Sequence, residues 1–226
     1  MRDDMIQATS MLAMGELAVY PTDTVYGLGA DAIAADAVER VYDLKGRSRD
    51  EPLSMAVPDV DEALEHVTAT EREEAFMRAF LPGPVTVVLE RQSHVPDVLT
   101  AGKDRVGIRI PDHDLALDLL SEFAPITATS ANPSGEANVL DVDDLDPRIR
   151  EGVGAVVDAG ELPGGESTVV DPGPARSTAA ARAPTRSKRG STSTEQSLRA
   201  PVATGATAFS PHTRRGSRRS RTWRRR

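Results

Sequence analysis

An abrupt change of composition after Asp171 divides this chain into a part that can fold around a core and a part that cannot. Residues 1–171 carry 13 Lys and Arg against 34 Asp and Glu, a formal net charge of −21. Residues 172–226 carry 14 Lys and Arg against the single acid Glu195, a net charge of +13. This second segment has no hydrophobic period and too little apolar area to offset the entropy of ordering. We therefore predict one folded domain, residues 1–171, followed by a disordered, low-complexity basic tail, residues 172–226.

The first 171 residues alternate strand and helix patterns. Thr70 and Glu73 form a capping box that predicts a helix start, and the run Leu81-Pro82-Gly83-Pro84 ends that helix. Because several strands follow one another without an intervening helix, we predict an α/β domain with a mixed sheet. The predicted strands are 16–20, 53–57, 85–89, 106–110, 126–129, 153–158 and 167–171, and the predicted helices are 35–44, 60–66, 71–80 and 114–123.

Composition excludes several classes of protein. Cysteine is absent, so disulfides, thiolate metal sites and a cysteine nucleophile are excluded. The chain has no run of 18 apolar residues, and its start, Met1-Arg2-Asp3-Asp4-Met5, lacks the apolar core of a signal peptide. We expect a cytoplasmic enzyme without a membrane partner. The very acidic domain is typical of proteins adapted to high salt, and the alternative is an ordinary acidic surface.

Arginine and lysine are concentrated at two places in the acidic domain. Lys45, Arg47 and Arg49 follow a predicted helix within five residues. This pattern is typical of a phosphate clamp, and the alternative is a helix C-terminus whose dipole favours cations. Arg109 lies in a predicted strand, where it either faces a cavity and holds a carboxylate or faces solvent. Arg105 would share its face of the strand.

Two segments rich in hydroxyls, amides and glycines follow predicted strands, residues 21–29 and 129–135. Small donors and acceptors at the end of a strand can approach a ligand closely, but the same residues also suit turns and helix caps. The chain contains no phosphate-binding loop of the Walker type, no dinucleotide fingerprint and no serine triad. No metal site is predicted, and the scattered histidines are expected to be structural or exposed: His66, His94, His113 and His212.

Six motifs in a fixed order resemble the YrdC-like family of threonylcarbamoyl-adenylate synthases, over about Gly15 to Asp171. The resemblance implies a twisted mixed sheet flanked by helices around a large concave cavity. It also implies a reaction of L-threonine, bicarbonate and ATP, with Mg²⁺, to give threonylcarbamoyl-AMP and pyrophosphate. A partner transferase would then modify tRNA. The motifs are residues 21–29, 45–47 with 50–53, 82–86, 106–113, 130–135 and 166–171.

The same resemblance implies roles for individual residues, none of them a covalent nucleophile. The threonine site would consist of Thr22, Ser54, Arg109 and Ser167. The ATP site would consist of Lys45, Arg49, Arg105, Ser130, Asn132 and Asn138. Lys45 and Arg47 would be the catalytic residues, acting by positioning and charge neutralisation during phosphoryl transfer.

The tail departs from the family pattern, which implies a further strand ending in an Arg-x-Gly-like element. No such strand is legible after Asp171, and Arg176 and Arg182 are the available substitutes. We hypothesise that a frameshift replaced the original ending, which would put the activity of this chain at risk. The alternatives are a genuine basic tail that contacts RNA and, for the whole protein, a non-catalytic RNA-binding role in tRNA or ribosome maturation.

Overall fold

The structure, a computed structural model, describes residues 2–173. The predicted disordered tail lies outside the described residues except for Pro172 and Gly173. The helices are α1 (Arg2–Ala13), α2 (Ala35–Lys45), α3 (Val60–His66), α4 (Glu71–Phe80), α5 (Asp97–Thr100), α6 (Asp114–Glu122) and α7 (Pro147–Gly152). The strands are β1 (Ala18–Tyr20), β2 (Gly27–Gly29), β3 (Ser54–Ala56), β4 (Val67–Thr68), β5 (Val85–Arg91), β6 (Arg105–Arg109), β7 (Ile126–Ala128), β8 (Ala155–Val156) and β9 (Thr168–Val170).

The strands form two sheets with both parallel and antiparallel pairs. The smaller sheet has the order β2-β1-β8, and the larger has the order β4-β5-β6-β3-β7 with β9 beside β5. β5 and β6 pair antiparallel, whereas β3 runs parallel to β6 and β9 runs parallel to β5. Single bridges from Gly27 to Ser130 and from Asp31 to Ile126 join the two sheets near β2 and β7. The predicted mixed sheet flanked by helices is confirmed.

Side-chain caps explain where two of the predicted helices, α3 and α4, begin. In α4 the Thr70 hydroxyl accepts the Glu73 amide at 3.3 Å, and the Glu73 carboxylate accepts the Thr70 amide at 2.8 Å, so the predicted capping box is confirmed. The predicted bounds of α3 are also confirmed, and the Asp59 carboxylate caps that helix. The strand predicted at 153–158 is shorter than expected, because only Ala155 and Val156 pair with β1.

The core consists mainly of Val, Leu, Ile and Ala, with three buried tyrosines. One of these, Tyr26, fixes the segment that will form one wall of the candidate site. Its hydroxyl donates to the Gly160 carbonyl at 2.8 Å and accepts the Ala159 amide at 2.9 Å. Its backbone amide donates to the Val139 carbonyl. Residues 21–29 are therefore held against two distant loops.

The helices in the described range are all too short or too polar to cross a bilayer. The cytoplasmic location expected from the sequence stays a prediction. Among the histidines, His66 is buried and lies 2.9 Å from His94, ring nitrogen to ring nitrogen, with Glu62 on its other side. His113 precedes α6, and His212 lies outside the described residues.

Candidate active site

A cavity of about 320 Å³ lies between residues 20–27 and strands β3, β5, β6 and β9, and hydroxyl side chains dominate its wall. We call it the hydroxyl cavity. Its polar wall mixes predicted site residues with residues that the sequence reasoning did not select. The predicted members are Thr22, Ser54, Arg109, Ser130, Asn138 and Ser167, and the additional members are Tyr20, Thr24, Thr86, Thr129 and Glu166.

The turn after β1 closes on its own threonine. The Thr22 hydroxyl accepts the backbone amides of Thr24 and Val25, both at 3.2 Å, and donates to the Val25 carbonyl at 2.7 Å. The Thr22 hydroxyl therefore shapes the turn, and the neighbouring Thr24 hydroxyl, 3.1 Å away, carries the remaining hydrogen-bonding capacity. The sequence placed Thr22 in the site but did not distinguish these two functions.

Arg109 faces the hydroxyl cavity, which decides between the two orientations left open by the sequence. It ends β6 opposite Thr86, and its Nη2 donates to Asp23 Oδ1 at 2.6 Å. The pair is buried, with side-chain exposures of 7% for Arg109 and 10% for Asp23. Arg109 Nη1 and Asp23 Oδ2 are also buried, and neither has a hydrogen-bond partner among the described residues. Arg109 Nη1 is therefore the buried nitrogen of this pair that remains open to a ligand.

Tyr20 forms the floor of the hydroxyl cavity. Its hydroxyl donates to the Thr127 carbonyl at 3.3 Å, and a Cβ on Gly27 would lie 2.9 Å from its ring. Burial raises the pKa of Tyr20 well above its usual value, and the nearby Arg109 charge offsets only part of that effect. Tyr20 therefore stays a neutral group that closes the cavity without adding charge.

A second cavity, of about 660 Å³, shares Ser54, Ala128, Thr129 and Val169 with the first. We call it the basic cavity. It combines an apolar wall with three cations and one acid, Asp104. Of the cations, Lys103 was not selected from the sequence. The cations are Arg47, Lys103 and Arg105, and the apolar members include Leu53, Val88 and Val169.

Gly107 lies where the two cavities meet. On its face of β6 it stands between Arg105 and Arg109. A Cβ at this position would lie 2.5 Å from Ser54 Oγ and 2.9 Å from Thr86 Cγ2. Only a residue without a side chain leaves both groups in place. Arg105 and Gly107 line the basic cavity and Arg109 lines the hydroxyl cavity, so the predicted common face of the two arginines is confirmed.

Backbone carbonyls hold the two arginines of the basic cavity. Arg47 donates to the Glu51 carbonyl at 3.3 Å and to the Pro52 carbonyl at 3.2 Å. Arg105 donates to the Val88 carbonyl at 2.5 Å and to the Asp171 carboxylate at 2.8 Å. These contacts fix the orientation of the guanidinium groups, and the carbonyls do so without neutralising them.

Lys45 lies behind the cavity wall and lines neither cavity. Its Nζ donates to the carbonyls of Ser130 and of Asn132, the latter at 2.6 Å. Burial, with a smaller contribution from the Arg47 charge, lowers the pKa of Lys45 to about 8. Asn132 is also buried and donates to the carbonyls of Pro133 and Glu136. Both residues therefore support residues 130–138, and their assignment to ATP stays a prediction.

Arg49 lies apart from the residues that line the two cavities. Its guanidinium donates to the carboxylates of Glu39 at 2.8 Å and Asp43 at 2.6 Å, and its side chain is 53% exposed. The acidic outer face of α2 explains this placement, because two carboxylates lie within reach of one flexible cation. The assignment of Arg49 to ATP also stays a prediction.

Comparison with known proteins identifies relatives of this chain. The Sua5–YciO–YrdC family model, described as "Telomere recombination", matches residues 10–182. The chain is 41% identical over 169 residues to a threonylcarbamoyl-AMP synthase of Pyrococcus abyssi, covering 73% of this chain and 49% of that protein. It is 42% identical over 176 residues to the threonylcarbamoyl-AMP synthase of Bacillus subtilis, with the same two coverages.

A solved structure is similar in fold as well as in sequence. The crystal structure of P. abyssi Sua5 complexed with L-threonine matches with a TM-score of 0.67 and 38% identity, over 75% of this chain and 51% of that chain. The chain thus spans about half the length of these relatives.

Proposed function

The chain belongs to the Sua5–YciO–YrdC family, and we propose that it converts L-threonine, bicarbonate and ATP to threonylcarbamoyl-AMP and pyrophosphate. The relatives at 41% and 42% identity are named for the synthesis of this product. The observation that carries the proposal is the junction of a hydroxyl-lined cavity and a cationic cavity along one strand, β6. A hydroxy amino acid and a polyphosphate require these two environments side by side.

We place L-threonine in the hydroxyl cavity. Arg109 Nη1 is a buried donor without a partner in the part of the chain that the structure describes, and it suits a carboxylate oxygen. Ser54, Thr86 and Ser167 supply hydroxyls to the same cavity, where Thr86 and Ser167 lie 3.3 Å apart, oxygen to oxygen. A relative, P. abyssi Sua5, has been solved in complex with L-threonine, which supports the choice of ligand.

We place ATP in the basic cavity. Arg47, Lys103 and Arg105 offer three cations to the phosphates, and the apolar wall near Leu53 and Val88 suits a base or ribose. Ser130 and Asn138 would contact the nucleotide from the side of the hydroxyl cavity. Mg²⁺ would enter as part of the Mg·ATP substrate. It would neutralise phosphate charge there.

The chemistry then requires only positioning and charge neutralisation. The threonine amine and bicarbonate condense to a carbamate with loss of water. A carbamate oxygen attacks the α-phosphorus of ATP, the bond to the β-phosphate bridge breaks, and pyrophosphate leaves with the electron pair. Ser54 borders both cavities and therefore marks the point where the carbamate would meet the α-phosphate. The cations beside it would stabilise charge on the leaving group.

We assign Arg47 to binding of the ATP phosphates and Lys45 to support of the cavity wall. The two carbonyl contacts of Lys45 keep residues 130–132 in place. The product is an activated acyl group, so its consumer must be an acyl transferase, and we propose one that acts on tRNA.

Pyrophosphate release from ATP by the full chain tests the proposal, with L-threonine or bicarbonate omitted in turn as controls. High-salt buffer is appropriate because residues 1–171 carry a net charge of −21. We expect release that requires both substrates. The proposal fails if neither this chain nor a chain with the P. abyssi ending in place of residues 172–226 releases pyrophosphate. Salt-sensitive RNA binding without release would instead support the RNA-binding alternative.

A further inference from the structure

Asp23 lies beside the candidate amino-acid site without being part of its wall. The Asp23 carboxylate and the Arg109 guanidinium form a buried ion pair of 2.6 Å between residues 86 positions apart. We propose that Asp23 is a specificity-determining residue, which makes the hydroxyl cavity select zwitterionic amino acids over simple carboxylate anions. This inference rests on the proposed function, since it concerns the substrate that the cavity accepts.

The position of Asp23 is fixed by the turn in which it lies. The Thr22 hydroxyl accepts the amides of Thr24 and Val25, which encloses Asp23 between hydrogen-bonded neighbours. The Asp23 carboxylate occupies Nη2 of Arg109 and leaves Nη1 as the free donor. Asp23 therefore decides which edge of the guanidinium a ligand can use.

Asp23 also sets the charge that a ligand meets. A buried arginine alone beside a cavity would attract any small anion, because Coulomb interactions are strong where water is excluded. The Asp23 carboxylate cancels this charge at a distance of one hydrogen bond. A simple carboxylate must then enter beside a buried acid and meets no net positive charge. A zwitterion brings an ammonium group that offsets the Asp23 carboxylate.

The basic cavity contains a natural comparison for this pair. Arg105, on the same face of β6, pairs with Asp171 at 2.8 Å, but Asp171 is 57% exposed. Solvent screens that carboxylate, so it changes the field in its cavity much less than buried Asp23 does. Replacement of Asp171 is therefore the matched control for replacement of Asp23.

Isothermal titration calorimetry of the full chain tests the proposal with two ligands. These are L-threonine and 3-hydroxybutanoate, which keeps the carboxylate and hydroxyl of threonine but lacks its ammonium. For the wild type we expect L-threonine to bind at least about 100-fold more tightly. In Asp23→Asn the affinity for 3-hydroxybutanoate should rise and that for L-threonine fall, reducing the ratio at least about 10-fold. Asp171→Asn and Asp23→Glu should keep the ratio within about 3-fold of the wild type.

A purely structural role for Asp23 predicts a different result. Both affinities would then fall by the same factor or stay unchanged in Asp23→Asn, and either result overturns the proposal. The wild-type chain provides a test that does not depend on any variant folding, because equal affinities for the two ligands also overturn it. If the wild type binds no L-threonine, the proposed function fails and this inference fails with it. Threonine binding with an unchanged ratio in Asp23→Asn refutes the inference alone.

Discussion

The two adjoining cavities use arginine in opposite ways. In the hydroxyl cavity, Arg109 is paired with a buried carboxylate, so the pair has no net charge, and Arg109 Nη1 has no hydrogen-bond partner within residues 2–173. In the basic cavity, Arg47 and Arg105 are oriented by backbone carbonyls, and their acidic partners are exposed. A backbone carbonyl fixes the orientation of a guanidinium and leaves its charge in place. A buried carboxylate fixes the orientation and also cancels the charge. We therefore propose that the partner of each arginine distinguishes a site for a neutral zwitterion from a site for a polyanion.

Lys45 is the residue whose loss should affect both cavities most. Replacement by Met leaves the carbonyls of Ser130 and Asn132 without their donor. Each unsatisfied buried carbonyl lowers the free energy of unfolding by about 1–3 kcal/mol. We expect kcat/KM for both L-threonine and ATP to fall by at least about 100-fold in steady-state pyrophosphate assays. A rise in the KM for ATP alone would instead make Lys45 a phosphate ligand.

Arg109→Gln should affect the hydroxyl cavity selectively. Loss of a charged hydrogen bond to the threonine carboxylate should raise the KM for L-threonine about 10- to 100-fold and leave the KM for ATP within about 3-fold. Because this change strands the buried Asp23 carboxylate, the double variant with Asp23→Asn is the control. An equal rise in both KM values in the double variant would contradict the division into two cavities.

Arg47→Gln should produce the opposite selectivity. Arg47 lines the basic cavity and keeps its charge, so its loss should raise the KM for ATP about 10-fold and change the KM for L-threonine by less than about 3-fold. The effect should shrink as ionic strength rises, because salt screens the attraction between Arg47 and the phosphates. An unchanged KM for ATP at low salt would show that Arg47 does not bind the phosphates.

The buried amine of Lys45 predicts a pH dependence of stability. Burial lowers the pKa of Lys45 to about 8 in the folded chain, from the ordinary lysine value of 10.5. Between these values the unfolded chain binds more protons, so this group makes stability rise with pH, by at most about 1.4 kcal/mol per pH unit. Urea unfolding of the wild type and Lys45→Met from pH 7.5 to 9.5 measures the difference. Identical pH dependence in both chains would show that Lys45 is not titrating in this range.

Arg49→Gln should have the smallest effect. Arg49 forms exposed ion pairs with Glu39 and Asp43, and such pairs contribute about 0–1 kcal/mol. We expect both KM values to stay within about 2-fold of the wild type. An increase of 10-fold in the KM for ATP would place Arg49 at the phosphates, as the resemblance first implied, and would require the basic cavity to extend to α2.

The parts of this fold that depend on local chemistry could be predicted from the sequence. The capping box of α4, the β-branched run of β5 and the alternation along β6 depend on neighbouring residues. Helix α1 was missed because only Ala8 and Leu12 of its 12 residues are buried, so its apolar stripe is narrow. Helix α7 was missed although Asp146 caps it and Pro147 occupies its first turn.

The site itself could be predicted only in part, because its key contacts are distant in sequence. Asp23 and Arg109 are 86 residues apart, and no periodicity links them. Thr86 lines the site because the strand register pairs it with Arg109. Lys103 lines the site because it lies in the loop that precedes β6. Residue type indicated that Lys45 mattered but not that backbone carbonyls would bind its amine.

Calorimetry with two ligands, L-threonine and a non-hydrolysable ATP analogue, tests the division into two cavities most directly. The chains to compare are the wild type, Arg47→Gln and the Asp23→Asn/Arg109→Gln double variant. We predict that Arg47→Gln weakens the nucleotide about 10-fold and keeps threonine within about 3-fold, and that the double variant does the reverse. If each variant weakens both ligands by the same factor, the two cavities form one undivided site and the account is contradicted.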